Sequence, residues 1–588
     1  MKYEMQWKLN ELAISSLEDA CYAIRLWQEA CAACRERLPQ SRVDGDLICI
    51  EQLTGRLREL SSFAHCLTAE DVRNEPAIQL VQKVHELEAE LEIVVDAVDR
   101  KLLHLTEGEF SALILEEPFR EIAPLLARRR RQAKEKMAVE REKLASLLSV
   151  DGYHGWKGLY DALIGAISIE IAHKEVSGRF SCGQAANLLA HPNREVREAI
   201  FHGMEREARE RKELFAATLN HIIGFRLHLY RERGWDSPLK DALRMNRMQE
   251  KTLTTMWREV ERVQPYFRSF LKRKAELHGL GKLAWFDREA PLGKRKTDYA
   301  YAQGAKIVEQ EVSRFGPEFG AFCRKAFSGR WVEAEDRPHK APGGFCTPFP
   351  LSQESRIFMT YSGTLDNVLV LAHELGHAYH NEVVFSLPAL AQDYPMNLAE
   401  TASTLFELMV FDGIAAACTD PEEKIALLHN RAQRSLLFFM DIYARFLFEE
   451  SFFRERAQGT VMADRLSALM EAAQEKAFGG ELASYHPYYW VHKLHFYLTD
   501  YPAYNFPYTF GYLFSWAIYA RAKKDPAWFS SWYTAFLRDT GTMDVEALAE
   551  KHFGADITEG DFWREALEAA VDDVSQFLLL TEGRTWKP

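Results

Sequence analysis

Residues 371–380, LAHELGHAYH, limit what this chain can fold into more than any other stretch, because they place two imidazoles and a carboxylate on one helix. The lead-in, with apolar Leu365, Val368, Leu369, Leu371 and Ala372, keeps helical period and contains no proline. On an α-helix, His373 and His377 are four residues apart and project from one face. Zn²⁺ uses that spacing for two of its ligands. Glu374 falls on the flank of the same face, where it can reach water beside the ion without ligating the ion. The spacing predicts metal-assisted hydrolysis with Glu374 as general base.

A tetrahedral site needs a third protein ligand. A continuation as HExxHxxGxxH would require Gly at position 380 and His at 383, but His380 and Val383 stand there. The other completion is a Glu from a following helix. Residues 397–411, NLAETASTLFELMVF, read as that helix, with Asn397 as N-cap. Glu400 lies in its first turn, and an acid in so apolar a helix is costly to bury unless paired or metal-bound. His380 shares the face of His373 but sits about 10 Å along the axis, too far to share one ion. It reads as a polar helix-face residue or a group supporting the ligands.

The 588 residues are too many for one ordinary core, so two or more lobes are expected. A hydrophobic share of 47% with 27% charged residues fits a globular chain, and a formal charge of −13 argues against a nucleic-acid partner. No apolar run approaches the roughly 18 residues of a membrane span, and the N-terminus shows no secretory signal. The nine cysteines are scattered and odd in number, which reads as free thiols in a reducing, cytoplasmic setting. Cys31 and Cys34 form a lone CxxC inside a helical pattern and read as ordinary helix cysteines.

Residues 1–190 are dominated by helical periodicity, for example 47–64, 77–105 and 125–148, and form an expected N-terminal helical domain. Residues 191–588 form the expected catalytic domain, with the boundary between Gly178 and Asn193. Arg128–Arg131 reads as the solvated face of a long helix, with a basic patch as the alternative. From 194 to 274 the helical pattern resumes, broken by a turn at 234–238. Residues 283–287 (LAWFD), 344–349 (GFCTPF) and 356–361 (RIFMTY) are the best strand candidates. A small sheet beside the metal helix could pair its edge with an extended peptide, or could simply anchor the helix. After Glu400 helices return, including 421–451. The aromatic-dense stretch 485–519 follows, with Pro507 in the first turn of a helix that sets Tyr508 and Tyr512 one turn apart.

HELGHAYH, AETAS around Glu400 and YSGTLDNVLVLA upstream resemble the oligoendopeptidase F branch of the thimet-oligopeptidase-like zinc metallopeptidases. WFDREAP at 285–291, HKAPGGFC at 339–346 and LHFY…YNFPYTFGYLFS at 494–515 resemble that branch in the same chain order. The first hundred-odd residues match only in being helical. The resemblance implies a mainly α fold of two lobes, with a deep cleft and a small β-sheet beside the HExxH helix. It implies one Zn²⁺ per chain on His373, His377 and Glu400, and Glu374 as base and proton shuttle. His495, Tyr508 and Tyr512 would contact the substrate, with Tyr504 a weaker candidate. Glu407 or Ser403 would support the ligands.

The expected activity is hydrolysis of internal bonds in short peptides. The rivals are an exopeptidase on the same scaffold and a non-catalytic helical peptide-binding protein. Oligomeric state and cleavage preference are left open.

Overall fold

The computed structural model describes residues 3–292 and 299–585. The chain is mainly α, as its periodicity predicts. The helices that position the groups discussed below are α1 (Leu17–Arg37), α2 (Val43–Glu70), α3 (Glu75–His104), α4 (Ala123–Ala133), α5 (Val139–Ser149) and α6 (Arg194–Glu232). They continue with α7 (Glu250–Leu277), α8 (Leu365–Val384), α9 (Met396–Ala417), α10 (Ile442–Arg456) and α11 (Phe506–Lys524). The strands are β1 (Ile169–Ala172), β2 (Ser177–Phe180), β3 (Val332–Glu333), β4 (Phe345–Phe349) and β5 (Glu354–Phe358).

The backbone separates into two compact units, each built from three stretches of chain. The first comprises Met1–Glu135, Lys296–Ala417 and Ile518–Ala555; the second comprises Lys136–Arg295, Cys418–Ala517 and Asp556–Pro588.

In the first unit, α1 to α3 bury one apolar face each. Trp27, Leu53, Leu60, Phe63, Leu87 and Val94 form a core that continues into Phe349 and Phe358 of the sheet and Leu390 beyond α8. Ser16 and Asn74 cap α1 and α3 by accepting from the Asp19 and Ala77 amides. The sheet has the order β3-β5-β4, with β3 parallel and β4 antiparallel to β5, and Phe345 opposite Phe358. Beside β3, the Ala334 amide donates to Met5 O and the Lys8 amide to Arg330 O, so the N-terminal segment runs along that side. The edge strand on the side of α2 and α8 is β4.

In the second unit, α6 and α7 are long and interrupted where the 234–238 turn was expected. A buried ion group sits here: Asp441 accepts from Arg288 Nη1 at 2.7 Å, and Arg445 Nη2 stands 2.6 Å from its other oxygen. The Tyr489 hydroxyl donates to the same carboxylate at 2.9 Å. Burial opposes charge on Asp441, but Arg445 and Arg288, with Lys493 nearby, hold its carboxyl far below the usual carboxylate range.

Several local expectations change. Residues 283–287 form no strand: Leu283 makes one isolated bridge with Leu482, and Trp285–Asp287 is a 3₁₀ turn. The cause is Asp287, fully buried, which accepts from Arg197 at 2.9 Å and from the Ala284 amide at 3.1 Å and so curls the chain. The predicted helix over 125–148 breaks into α4 and α5, and that over 421–451 is interrupted by a π-turn at Leu437–Asp441. The antiparallel hairpin β1–β2 lies in a region read as helical. All nine cysteines are free.

Candidate metal centre and the residues around it

The metal-helix candidate, α8, begins at a capping box. Thr364 Oγ1 accepts from the Asn367 amide at 3.2 Å, and Asn367 Oδ1 accepts from the Thr364 amide at 3.2 Å. α9 crosses α8 at Gly376, where an added Cβ would stand 2.5 Å from Ala402 O and 2.7 Å from Ser403 Cα. A glycine in a helix interior costs stability, and here it lets two backbones touch. The Asn397 reading shifts: α9 starts at Met396, and the Leu398 and Ala399 amides donate to Pro395 O, so Asn397 lies inside the first turn.

This crossing brings together His373, His377 and Glu400, whose ligand atoms all lie within 4.8 Å of one another. The two Nε2 atoms are 3.2 Å apart, and Glu400 Oε2 is 3.4 Å from His373 Nε2. On its far side, His373 Nδ1–H donates to Glu407 Oε1 at 2.5 Å. That bond holds the ring from behind and turns Nε2 toward the cluster. Burial works against charge on His373, but the Glu407 carboxylate overrides it and lifts the imidazole to about 9. Burial pushes His377 well below the usual histidine value. Ser403 Oγ lies 3.3 Å from Glu400 Oε2 and steadies it. Two imidazoles and one carboxylate, converging on one point and oriented from behind, are a donor set that suits a divalent ion such as zinc and leaves a position open.

Glu374 is 5% exposed, and its Oε2 has no hydrogen-bond partner among the described residues. Burial raises it to about 7, near the value that suits a general base. The N-terminal end of β4 comes close to it: a Cβ on Gly344 would stand 3.5 Å from Glu374 Oε1. Asn381, one helical turn past His377, ties the strands to α8. Its Nδ2 reaches Ser355 Oγ at 3.2 Å and Cys346 Sγ at 3.7 Å, and its Oδ1 accepts from the Tyr394 hydroxyl at 2.8 Å. Sequence reasoning missed Asn381, which between His380 and Glu382 gives no local sign that it is buried. His380 is buried away from the cluster, with Nε2 2.8 Å from Thr540 Oγ1 and its ring stacked on Tyr394.

The aromatic candidates belong to the second unit. His495, Tyr504 and Tyr508 form a ring cluster, with His495 centroids 5.8 Å from both tyrosines and Tyr504 5.4 Å from Tyr508. Tyr501 joins it at 5.2 Å from Tyr504 and is 47% exposed. Burial, with Arg445 and Lys493 nearby, lowers His495 to about 3, so its imidazole is neutral, and its Nδ1 has no hydrogen-bond partner among the described residues. Tyr512 is placed elsewhere. It is 1% exposed, stacked on Phe438 and hydrogen-bonded to Ser435 Oγ at 2.8 Å.

Two family models match the chain: peptidase family M3 over residues 187–569 and oligopeptidase F over residues 101–168. Among curated relatives, the chromosomal oligoendopeptidase F of Lactococcus lactis subsp. cremoris is 26% identical over 56% of this chain. The chain spans 55% of that relative's length and 66% of the homologue from Lactococcus lactis subsp. lactis. The group B oligopeptidase PepB of Streptococcus agalactiae is 22% identical over 87% of this chain and 85% of its own. Among solved structures, a Chlamydophila abortus protein described as a peptidase superposes with a TM-score of 0.82 over 99% of both chains at 18% identity. Oligoendopeptidase-F from Enterococcus faecium does so with 0.67 over 97% of this chain and 98% of its own, also at 18%. These superpositions establish the mainly α fold.

Proposed function

This chain belongs to peptidase family M3, and from that membership we propose that it is a zinc-dependent oligoendopeptidase that hydrolyses internal bonds of short peptides in the cytoplasm. The observation that carries the proposal is the convergence of His373, His377 and Glu400 beside the buried Glu374 carboxylate, whose Oε2 has no hydrogen-bond partner among the described residues.

In this reading, His373, His377 and Glu400 hold one zinc ion. When bound, zinc supplies Lewis acidity to the attacking water and to the scissile carbonyl. Glu374 takes the proton of the attacking water, which its raised pKa equips it to do near neutral pH, and later delivers that proton to the leaving amine. Glu407 keeps His373 oriented throughout. By the family resemblance, His495 and Tyr508 are assigned as donors to the carbonyl oxygen as charge builds there, with Tyr504 beside them. Tyr512 is assigned to packing, a reading supported by its burial and its bond to Ser435. β4 offers the backbone edge along which an extended peptide would lie. Peptides are the proposed partners. No helix among the described residues is long and apolar enough to cross a membrane.

Metal analysis and turnover of a blocked peptide, measured on two variants, test the proposal. His373→Ala is expected to lose both zinc and cleavage. Glu374→Gln is expected to keep zinc and lose cleavage. Cleavage at the wild-type rate by Glu374→Gln would remove Glu374 as base, and full zinc occupancy in His373→Ala would remove His373 from the ligands.

A further inference from the structure

Helix α2 lies outside both family-model matches, yet one of its faces grips both segments that frame the metal cluster. Glu51, Gly55, Arg58, Glu59 and Ser62 recur at helical spacing and share that face.

At one end, the Ala389 and Leu390 amides both donate to the Glu51 carboxylate, the latter at 3.0 Å, while Arg58 Nη1 donates to Ala389 O at 2.8 Å. Gly55 lies against this segment, where a Cβ would stand in ordinary contact with Ala389 Cβ at 3.5 Å. The segment so held, Ala389–Gln392, leads directly into α9, which carries Glu400 and Glu407.

At the other end, Glu59 is fully buried and holds the β4–β5 turn. Its Oε2 accepts from the Leu351 amide at 2.9 Å and its Oε1 from Ser352 Oγ at 2.5 Å. Gln353, next in that turn, has a left-handed backbone with φ of 51°, a conformation that must be held by its surroundings. Ser62 Oγ donates to Pro348 O at 2.6 Å and pairs with Thr347 Oγ1 at 2.7 Å, fixing β4 itself. Burial raises both Glu51 and Glu59 above the usual carboxylate value, so each is retained against a desolvation cost.

We propose that α2 is a positioning helix of the active centre, in which Glu59 sets the β4–β5 hairpin beside Glu374 and Glu51 sets the entry to α9 and hence Glu400. The proposal rests on the functional reading above. It separates two effects. Loss of Glu59 displaces the strand that receives peptide and acts on KM. Loss of Glu51 displaces a metal ligand and acts on zinc affinity.

The test measures zinc affinity by chelator competition, together with kcat and KM on a blocked, internally quenched peptide, for Glu59→Ala, Glu59→Gln, Glu51→Ala and Glu51→Gln. Glu59→Ala is expected to raise KM about tenfold with zinc affinity unchanged, the net scale of losing its two buried hydrogen bonds to the turn. Glu59→Gln is expected to restore it, because an amide oxygen still accepts from Leu351 and the amide nitrogen donates to Ser352 Oγ. Glu51→Ala is expected to weaken zinc affinity 10- to 100-fold. Glu51→Gln is not expected to restore it, because the Ala389 and Leu390 amides donate to different carboxylate oxygens and the Gln NH2 would face one of them donor against donor. A helix with a merely structural role would give variants whose KM rises as zinc affinity and melting temperature fall together, with Gln and Ala equivalent, and that result would overturn the proposal. Wild-type protein that binds zinc but cuts no blocked peptide would sink the functional reading instead, and the zinc arm at Glu51 would still decide the role of α2.

Discussion

His373 is held from both sides: Glu407 takes its Nδ1–H, and Glu400 stands 3.4 Å from Nε2. Replacing Glu407 by Ala frees the ring to rotate and removes the charge that makes it a better ligand. The expected result is a 10- to 100-fold loss of zinc affinity with the fold retained, read by chelator competition; unchanged affinity would deny Glu407 that role. The two tyrosines one turn apart on α11 provide a second contrast. Tyr508→Phe is expected to lower kcat about 10- to 100-fold with little change in KM, because it removes a donor used only as charge develops. Tyr512→Phe is expected to leave kcat near wild type and cost about 1 kcal/mol of stability through its lost bond to Ser435. Equal kinetic effects at the two positions would contradict the assignment. The i, i+4 histidines were legible because helical spacing alone brings them together. Glu400 was legible as an acid in an apolar helix, and Glu407 because seven residues return to the same face. What helical spacing does not say is which phenol the rest of the fold buries, so Tyr508 and Tyr512 looked alike in the sequence. Glu51 and Glu59 gave no signal at all, since charged residues on an amphipathic helix are ordinary.

Among the elements, the α8–α9 crossing depends on one glycine. Gly376→Ala would place a methyl group against Ala402 O and Ser403 Cα, backbone atoms that cannot rotate away. The expected cost is about 3 kcal/mol in denaturant unfolding, accompanied by weaker zinc binding as Glu400 moves off. A fully stable variant with wild-type zinc affinity would show that the helices can part without consequence. The long helices and the β4 and β5 strands could be read from periodicity and from β-branched or aromatic runs. Residues 283–287 misled for a physical reason: their apolar pattern is that of a strand, but the buried Asp287 carboxylate is claimed by Arg194 and Arg197 and curls the backbone. The four consecutive arginines of α4 misled differently. Arg128 and Arg131 pair with Asp544, Arg129 with Asp99 and Arg130 with Glu107, so the run is spent on ion pairs within its own unit instead of on a solvated face. Such partners, hundreds of residues away in the case of Asp544, leave no local mark in the sequence.

Across the whole molecule, each compact unit is assembled from three separate stretches of chain, an arrangement that no composition shift announces. The second unit buries several histidines in neutral form. Burial lowers His278 and His492 to about 4 and His486 well below its usual value. Unfolded histidine titrates near 6.5, so each such group contributes stability that is fully present above about pH 6.5 and is lost as pH falls through its folded value. His278→Gln removes one of these groups. Its stability is expected to fall less steeply than wild type between pH 6.5 and 4 in urea titrations, and parallel slopes would contradict the assignment. The most direct test of the central claim, that the His373–His377–Glu400 centre with Glu374 hydrolyses internal peptide bonds, is cleavage of a mixed library of end-blocked peptides read by mass spectrometry. It would be run on native protein, on chelator-treated protein and after zinc is restored. The account predicts internal cuts confined to short peptides, abolished by the chelator and recovered with zinc. Cuts that persist without metal, or metal-replete protein that trims only unblocked ends, would contradict it.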